Sequence, residues 1–330
     1  MSIRIGLLGA SRIARGAVIA PASEIDGVEV TRVAASSVDK AQAYADEHGI
    51  PGVEADYAAL VASDAVDLVY NALPPSGHMQ WSIAALEHGK HVLCEKPFAM
   101  NADEAVQMVA AADKSPGLLI EAFHHRFHPL FDRVLEIVNS GTLGDVQRLR
   151  SHFNVTIPYV PGELRHTLEV GGGALMDLGC YPVHWVRTVM GTEPAVVLAE
   201  AVQEREGVDS TMRATLDFDG VPAEIECSMA EGLPDGHRAA LVVDGASGKL
   251  AVINPLSPHT GHELILSVDG ETMSETVDGN STYWHQLRHF VDVIHGNAEP
   301  ISGGEDAVAN MRAIDAIYRS AGMLPRGKSS

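Results

Sequence analysis

The 330-residue chain is long enough for two domains of about 150 residues each, and its 46% apolar and 20% charged residues exclude wholesale disorder. A net charge of −21 argues against binding to nucleic acid or to an anionic membrane. No apolar run reaches the roughly 18 residues of a membrane span. The cysteines Cys94, Cys180 and Cys227 are odd in number and widely spaced, which favours a reducing cytoplasm.

The first part of the chain alternates strand and helix patterns. Strands are predicted at Ile3–Leu8, Val28–Ala35, Leu68–Ala72, His91–Cys94 and Leu118–Glu121. Helices are predicted at Ile13–Ile25, Asp39–His48, Gly77–His88 and Ala102–Lys114. Short β-branched runs between longer helical patterns are typical of βαβ units around a parallel sheet.

After Glu121 the pattern becomes strand-rich. The predicted strands are Val146–Val155, Ala195–Val202, Thr211–Phe218, Ala223–Met229, Ala239–Val243 and Leu264–Val268. The predicted helices are Pro129–Val138, a stretch from Gly171 to Met190, Tyr283–His295 and Glu305–Ala321, followed by a frayed tail at Arg326–Ser330. We therefore predict an α/β protein with a doubly wound parallel domain at 1–121. We also predict a second α/β domain at 122–330, with an open, mostly antiparallel sheet and a last helix that could pack back on the first domain.

The segment from Gly6 to Ala14 follows the first strand and opens a helix, which is the context of a dinucleotide fingerprint. Gly9 would form the tight turn, Ser11 replaces the second glycine, and the helix start at Arg12 and Ile13 would face the pyrophosphate. A plain strand–turn–helix is the alternative interpretation.

The end of the second strand carries no carboxylate at its tip, where an acidic residue would favour NAD. Ser36, Ser37 and Lys40, with Arg12, could surround a 2′-phosphate instead. The sequence therefore favours NADP and leaves NAD possible. A serine N-cap for the next helix is the alternative role of the hydroxyl groups.

A further motif, Glu95-Lys96-Pro97, follows a short strand. Together with the fingerprint it resembles the glucose-fructose oxidoreductase, inositol dehydrogenase and MocA family. The similarity extends over nearly the whole chain, through Ala72–Pro74, His78, Ala85–His91, Glu121–Pro129, Gly171–Tyr181 and Asn310–Tyr318.

The resemblance implies a Rossmann domain, a second domain whose open sheet face makes an oligomer, and a Lys96–Pro97 bond that is often cis. It also implies a small sugar, polyol or cyclic diol as substrate and a homodimer or higher homo-oligomer. Cofactor contacts are then expected from Leu73, Pro74, His78, Glu95, Lys96 and Arg126, in addition to Gly9, Ser11, Arg12, Ile13, Ser36, Ser37 and Lys40.

Asp177 and Tyr181 stand where many members of the family carry Asp and His, which resembles the xylose and dihydrodiol dehydrogenase branch. The sequence also departs from the family pattern at Pro75 and at His124-His125, so the resemblance does not define the substrate pocket. His124 and Arg165 are candidate substrate contacts, together with Lys96, Asp177 and Tyr181.

Asp177, Tyr181 and His184 have the i, i+4, i+7 spacing that places side chains on one helix face. A tyrosine has a reference pKa of about 10, so it needs a nearby cation to act as a base near neutrality. We predict that Lys96 is that cation and that it shares the substrate oxygen with Tyr181, while Asp177 orients a hydroxyl group or the lysine. Tyr181 as a core residue and His184 as pocket lining are the alternatives.

His124 and His128 have a spacing that suits zinc on a helix, but Pro129 places the helix start after them. No metal is predicted. An NAD(P)-dependent oxidoreductase is the leading function. A glycoside hydrolase or lyase with tightly bound NAD and a non-catalytic dinucleotide sensor are the alternatives.

Overall fold

The structure is a computed structural model that describes residues 2–233 and 238–328. It divides into two compact units. The first comprises Met1–His124 and Tyr283–Val308, and the second comprises His125–Thr282 and Ala309–Ser330. The first unit thus includes a late stretch of the chain in addition to the predicted N-terminal segment.

The first unit is built on a six-stranded sheet. Its strands are β1 Ile3–Leu8, β2 Val28–Ala34, β3 Gly52–Val53, β4 Leu68–Asn71, β5 His91–Cys94 and β6 Leu119–Glu121. All pairs are parallel and the order is β3-β2-β1-β4-β5-β6, which confirms the doubly wound fold. β3 was not predicted, because two residues are too few to show a strand pattern.

Each predicted helix overlaps a helix of the structure, and one short helix, Tyr57–Ala62, was not predicted. They are α1 Arg12–Ala14, α2 Ala20–Glu24, α3 Val38–His48, α4 Tyr57–Ala62, α5 His78–Glu87, α6 Ala102–Ala112, α7 Pro129–Asn139, α8 Cys180–Met190, α9 Thr282–Ile294 and α10 Gly304–Ser320. A π-helical stretch, Arg15–Ile19, joins α1 to α2. Ser37, Asp56 and Asn101 cap α3, α4 and α6 by accepting a hydrogen bond from a backbone N–H in the first turn.

The second unit contains an eight-stranded sheet. Its strands are β7 Val146–Asn154, β8 Ala195–Arg205, β9 Val208–Phe218, β10 Val221–Ser228, β11 Ala239–Gly245, β12 Gly248–Ile253, β13 Glu263–Val268 and β14 Glu271–Glu275. The order is β14-β13-β12-β11-β7-β10-β9-β8, and only the β7–β10 pair is parallel, as expected for a mostly antiparallel sheet. Two hairpins turn at Asp219-Gly220 and Asp269-Gly270 with positive φ at both residues.

Two strands of this sheet were missed and one prediction at the chain end was wrong. β14 is polar and exposed, so it shows no apolar alternation, and β12 is interrupted by Lys249. Arg326 was assigned to a frayed tail, but it is 2% exposed because its guanidinium is bound inside the second unit. Ser329 and Ser330 of that predicted tail lie outside the described residues. Across residues 2–233 and 238–328, no helix has the length and apolar character needed to cross a membrane.

Candidate functional site

The Gly9 turn lies where β1, β2 and β4 meet at their carboxyl ends. Gly9 has φ +96, and its N–H donates to the carbonyl of Ala34 at 2.9 Å. A Cβ at Gly9 would lie 3.3 Å from Leu73 Cδ2 and 3.5 Å from the Ala72 carbonyl oxygen. The strand order reverses at β1, and dinucleotides bind at that position in doubly wound sheets.

The helix after this turn begins at Ser11, whose hydroxyl makes no capping hydrogen bond. Tyr44 donates its hydroxyl to the Ser11 carbonyl at 2.8 Å, and burial raises the pKa of Tyr44 to about 12, so the phenol remains a donor. Arg12 and Ile13 are exposed, whereas Ala14 is buried and lets the helix approach the sheet. The turn therefore presents backbone N–H groups and a hydroxyl group to an incoming anion.

A small cationic cluster stands at the end of β2. The Ser37 hydroxyl accepts the N–H of Lys40 at 3.3 Å and so caps α3, as the alternative interpretation expected. The Lys40 ammonium donates to the Ser36 hydroxyl at 3.1 Å. All three residues are exposed. Asp39 lies in the first turn of α3. This cluster supplies a positive charge and hydroxyl donors where the adenosine ribose is expected.

The Lys96–Pro97 peptide is cis, as the family resemblance implied. Glu95 is 9% exposed, and its Oε1 accepts the Tyr70 hydroxyl at 2.6 Å while Oε2 accepts the Lys96 N–H at 3.3 Å. Glu95 fixes the backbone from which Lys96 extends.

His78 connects this turn to the end of β4. Its Nε2 lies 2.7 Å from the Leu73 carbonyl and its Nδ1 lies 3.0 Å from the Pro97 carbonyl. Complete burial lowers the pKa of His78 to about 4, so the ring is neutral at pH 7 and donates to one carbonyl at a time. The side chain holds two backbone segments together, which differs from the direct cofactor contact predicted for it. Leu73 and Pro74 remain at the sheet edge next to Gly9.

The histidine-rich segment after β6 is divided between the two units at His124 and His125. His124 is 3% exposed and stacks on Tyr283 with ring centres 4.1 Å apart. Arg126, a predicted cofactor contact, lies in the second unit and pairs with Asp132 at 3.1 Å.

The zinc alternative concerned this same segment. His128 accepts the N–H of Leu130 at 3.1 Å and caps α7, which begins at Pro129. Within the described part of the chain, no group of three or more His, Cys, Asp or Glu side chains has an arrangement that would hold a metal ion.

Asp177 lies in a π-helical segment, Leu175–Gly179, immediately before α8. Its Oδ2 accepts the Nε–H of Arg165 at 2.6 Å, and Arg165 also donates from Nη1 to Glu163 Oε1 at 3.0 Å. The charge of Asp177 is the first cause of a raised pKa at Arg165. The loop residue Arg165 and the helix residue Asp177 therefore form one charged group, a pairing that was not predicted. Glu163 was not predicted, because an acidic loop residue carries no motif.

Tyr181 and His184 are both buried in α8, at 3% and 1% exposure. The ring centre of His125 lies 5.5 Å from that of Tyr181 and 5.2 Å from that of His184, so the two helix residues share a face. Thr188 donates its hydroxyl to the His184 carbonyl at 2.7 Å and lies 3.3 Å from His184 Nδ1. His125 was not among the predicted site residues; its signal was the departure from the family pattern at His124-His125.

Comparisons with known proteins identify the family of this chain. Residues 3–123 match the oxidoreductase family with an NAD-binding Rossmann fold, and residues 131–251 match the GFO/IDH/MocA C-terminal domain. The chain is 36% identical over 321 residues to D-xylose 1-dehydrogenase (NADP(+)) 2 of Haloferax volcanii, with 96% of each chain covered. It is 34% identical over 223 residues to trans-1,2-dihydrobenzene-1,2-diol dehydrogenase of Xenopus tropicalis, with 67% of each covered.

A solved structure shows the same fold over nearly the whole length. It is a 3-ketoreductase from Actinomadura kijaniata in complex with NADP and TDP-benzene, with a TM-score of 0.87, 25% identity, and coverage of 97% of this chain and 98% of that one. An aldose-aldose oxidoreductase from Caulobacter crescentus has the same TM-score of 0.87 at 25% identity. The chain is a member of the Gfo/Idh/MocA oxidoreductase family, with an NAD-binding Rossmann fold in its first unit.

Proposed function

We propose that the protein is an NADP-dependent oxidoreductase acting on a secondary alcohol or carbonyl of a sugar, polyol or cyclic diol. One observation carries the proposal. The same chain has a glycine turn at the reversal point of a Rossmann sheet and, in its second unit, an Asp177–Arg165 pair one turn before the buried Tyr181. The two dehydrogenases to which it is similar are named for a sugar, D-xylose, and for a cyclic diol, which supports this substrate class.

The residues present fit a phosphorylated dinucleotide. Gly9 allows close backbone approach, and Lys40 with Ser36 offers a charge and a donor for a 2′-phosphate. The Haloferax dehydrogenase uses NADP(+) and the Actinomadura structure contains NADP, which supports the same choice here. When bound, the nicotinamide supplies the hydride acceptor or donor.

Tyr181 is the residue that removes the proton of the substrate hydroxyl in this proposal. Oxidation of an alcohol requires a base within hydrogen-bond distance of that hydroxyl, and a tyrosine beside a cation meets the requirement, because the cation favours the phenolate that accepts the proton. Lys96 is the cation, and its charge stabilises the developing alkoxide. The Lys96 backbone N–H donates to Glu95 Oε2 at 3.3 Å, so the backbone from which the ammonium group extends is held by a buried carboxylate.

The charges around Asp177 favour a neutral substrate with several hydroxyl groups. Arg165 contributes one positive charge, whereas Asp177 and Glu163 together contribute two negative charges, which repel a phosphate or carboxylate group. Carboxylate oxygens accept hydrogen bonds from hydroxyl groups, and the guanidinium of Arg165, which is half-buried, donates. We therefore favour an unphosphorylated aldose or a diol over a sugar phosphate.

We also propose that the protein is a cytoplasmic homodimer, formed through the open face of the eight-stranded sheet. That face carries cross-strand ion pairs such as Arg148–Glu224 and Arg150–Asp244, each at 2.6 Å, and borders the exposed side chain of Leu198 on β8. The three cysteines are buried thiols, which suits a reducing compartment. Light scattering at micromolar concentration tests the assembly, and a monomeric mass contradicts it.

The function is tested by following nicotinamide absorbance with a panel of aldoses, inositols, trans-diols, glycosides and sugar phosphates. We expect turnover of an unphosphorylated aldose or diol with NADP⁺ and weaker or no turnover of the matching phosphate. Hydrolysis of a glycoside without net reduction of the nicotinamide, or tight cofactor binding with no turnover of any compound, would contradict the proposal.

A further inference from the structure

Arg326 is buried in the second unit although it lies only two residues before the end of the described chain. Its Nε donates to the Gly172 carbonyl at 2.7 Å and its Nη2 donates to Asp209 Oδ1 at 2.6 Å. Its guanidinium carbon lies 4.1 Å from the ring centre of Tyr318, at cation–π distance. Burial of a charged guanidinium carries a large desolvation penalty, which is offset only where its N–H groups have hydrogen-bond acceptors.

Asp209 joins this guanidinium to the start of the helix that carries Asp177. Its Oδ1 also accepts the Tyr318 hydroxyl at 2.9 Å, and its Oδ2 accepts the backbone N–H of Leu175 at 2.7 Å. Leu175 is the first residue of the π-helical segment. Burial raises the pKa of Tyr318 well above its ordinary value, so its hydroxyl remains a donor. Asp209 of β9, Tyr318 of α10 and Arg326 therefore form one hydrogen-bonded group, which is bound through Asp209 to the first residue of the π-helical segment.

The glycine turn before that helix binds the substrate-side loop as well. The Gly173 N–H donates to the Arg165 carbonyl at 2.9 Å and the Gly172 N–H donates to the Thr167 carbonyl at 2.9 Å. The Asp177 N–H donates to the Gly173 carbonyl at 3.0 Å. The turn therefore fixes the backbones of Arg165 and Asp177 together, and their side chains then pair at 2.6 Å.

The turn itself accepts no side chain at its centre. Gly173 has φ +136, and a Cβ there would overlap Asp209 Oδ1 and crowd Arg326 Nη2 and the Tyr318 hydroxyl. The three polar side chains thus lie directly against the Gly173 backbone. Displacing any one of them removes a group that packs against the Gly173 backbone.

We propose that Asp209, Tyr318 and Arg326 form a C-terminal clamp whose role is to position the Arg165–Asp177 pair for substrate binding. The three are positioning residues, because they act through the glycine turn. The inference rests on the proposed function, in which Asp177 and Arg165 contact the substrate.

The test compares Arg326→Met with Arg319→Met. Arg319 is an exposed arginine of α10 that pairs with Asp315 at 3.4 Å and serves as the matched control. Tyr318→Phe is the second variant, because it removes one hydrogen bond and keeps the ring, so it should fold where Arg326→Met fails. Hydrogen–deuterium exchange of residues 163–177 is measured beside kinetics with NADP⁺ and the aldose or diol that gives the highest rate in the panel.

We expect Arg326→Met and Tyr318→Phe to accelerate amide exchange in residues 163–177 and to raise the KM for the sugar or diol. A displacement of about 1 Å is enough for losses of up to about 100-fold in catalytic efficiency, so a rise of about tenfold in KM is expected for Arg326→Met. The KM for NADP⁺ should change by less than about twofold, and Arg319→Met should match the wild type. In an Asp177→Asn background, Arg326→Met should add little further loss, because the pair is already broken.

Unchanged exchange in residues 163–177 overturns the clamp, whatever the substrate proves to be. So does an unchanged KM in Arg326→Met when Asp177→Asn raises it, or a full multiplication of the two losses. If Asp177→Asn alone leaves the KM unchanged, the proposed substrate role of Asp177 is wrong, and the exchange measurement still decides whether the clamp holds the turn.

Discussion

Arg165 and Asp177 share an ion pair of 2.6 Å between a loop and a π-helical turn, and the backbones of both residues are bound to Gly173. The pair joins two opposite charges, and the Asp177 carboxylate is the first cause of a raised pKa at Arg165. It also fixes the direction in which the carboxylate faces. A charged and oriented acceptor of this kind is suited to bind substrate hydroxyl groups rather than to transfer a proton.

Replacing Arg165 by Met tests this role. We expect the KM for the sugar or diol to rise by about tenfold or more and kcat to fall less, because the loss of a charge-assisted contact affects orientation first. Arg288→Met is the control, since the exposed Arg288 of α9 pairs with Asp292 at 3.1 Å. Equal kinetics for the Arg165 variant and the wild type would show that the pair is only structural.

The cofactor prediction concerns Lys40, whose ammonium lies 3.1 Å from the Ser36 hydroxyl. Lys40→Met should weaken the binding of NADP⁺ by about tenfold and leave the binding of NAD⁺ nearly unchanged, because only NADP⁺ has the 2′-phosphate. Ser36→Asp should go further and favour NAD⁺ by repelling that phosphate. Lys114→Met, at an exposed lysine after α6, is the charge control. Fluorescence titration gives the dissociation constants, and a wild type that prefers NAD⁺ strongly would contradict the assignment.

The parallel sheet was predictable because strands such as β1 and β4 are apolar runs that are almost fully buried and lie between helical patterns. The position of Lys96 and Tyr181 on their elements followed from motifs. The burial of Arg326 did not, because its partner Asp209 is 117 residues away in sequence. A chain end rich in Gly, Lys and Ser gives no local sign of a long-range ion pair.

The π-helical turn at Leu175–Gly179 was also beyond sequence reasoning. The stretch from Gly171 to Met190 was predicted as one helical stretch, whereas the structure has the π-helical segment Leu175–Gly179 before α8. The role of His78 was likewise missed. Its family position suggested a cofactor contact, whereas its two carbonyl neighbours at 2.7 and 3.0 Å depend on how two loops pack.

Those contacts of His78 predict how stability depends on pH. The pKa is 6.5 for an ordinary histidine and about 4 in the folded protein, so the unfolded chain binds more protons between these values. Stability should therefore fall as the pH decreases from 6.5 towards 4, and the His78 contribution between pH 7 and pH 5 is about 2 kcal/mol.

His78→Gln should lower stability at pH 7 and show a smaller decrease from pH 7 to pH 5 than the wild type. His295→Gln, at an exposed histidine, is the control. Urea unfolding at both pH values measures the difference. An identical pH dependence in His78→Gln and the wild type would refute this explanation.

Two glycines with positive φ should differ sharply in their tolerance of alanine. Gly141 has φ +78 and open space around its Cα, so Gly141→Ala should cost only about 1–2 kcal/mol for the backbone conformation. Gly173 has φ +136 and faces Asp209 and Arg326, so Gly173→Ala should cost about 3–5 kcal/mol or prevent folding. Similar losses of unfolding free energy for both variants would mean that the turn has room to relax.

The central claim is that Lys96 and Tyr181 act together on one substrate oxygen. A double-mutant cycle of Lys96→Met, Tyr181→Phe and their combination tests it most directly, with Tyr57→Phe and Lys114→Met as controls. Each single change should lower kcat by about 10²–10⁴-fold, with little effect on NADP⁺ affinity. The combined variant should be far less impaired than the product of the two losses, because residues that act as a unit are not additive. Full multiplication of the two losses would contradict the claim, and so would nearly full turnover in Tyr181→Phe, which would move the proton-transfer role to His184.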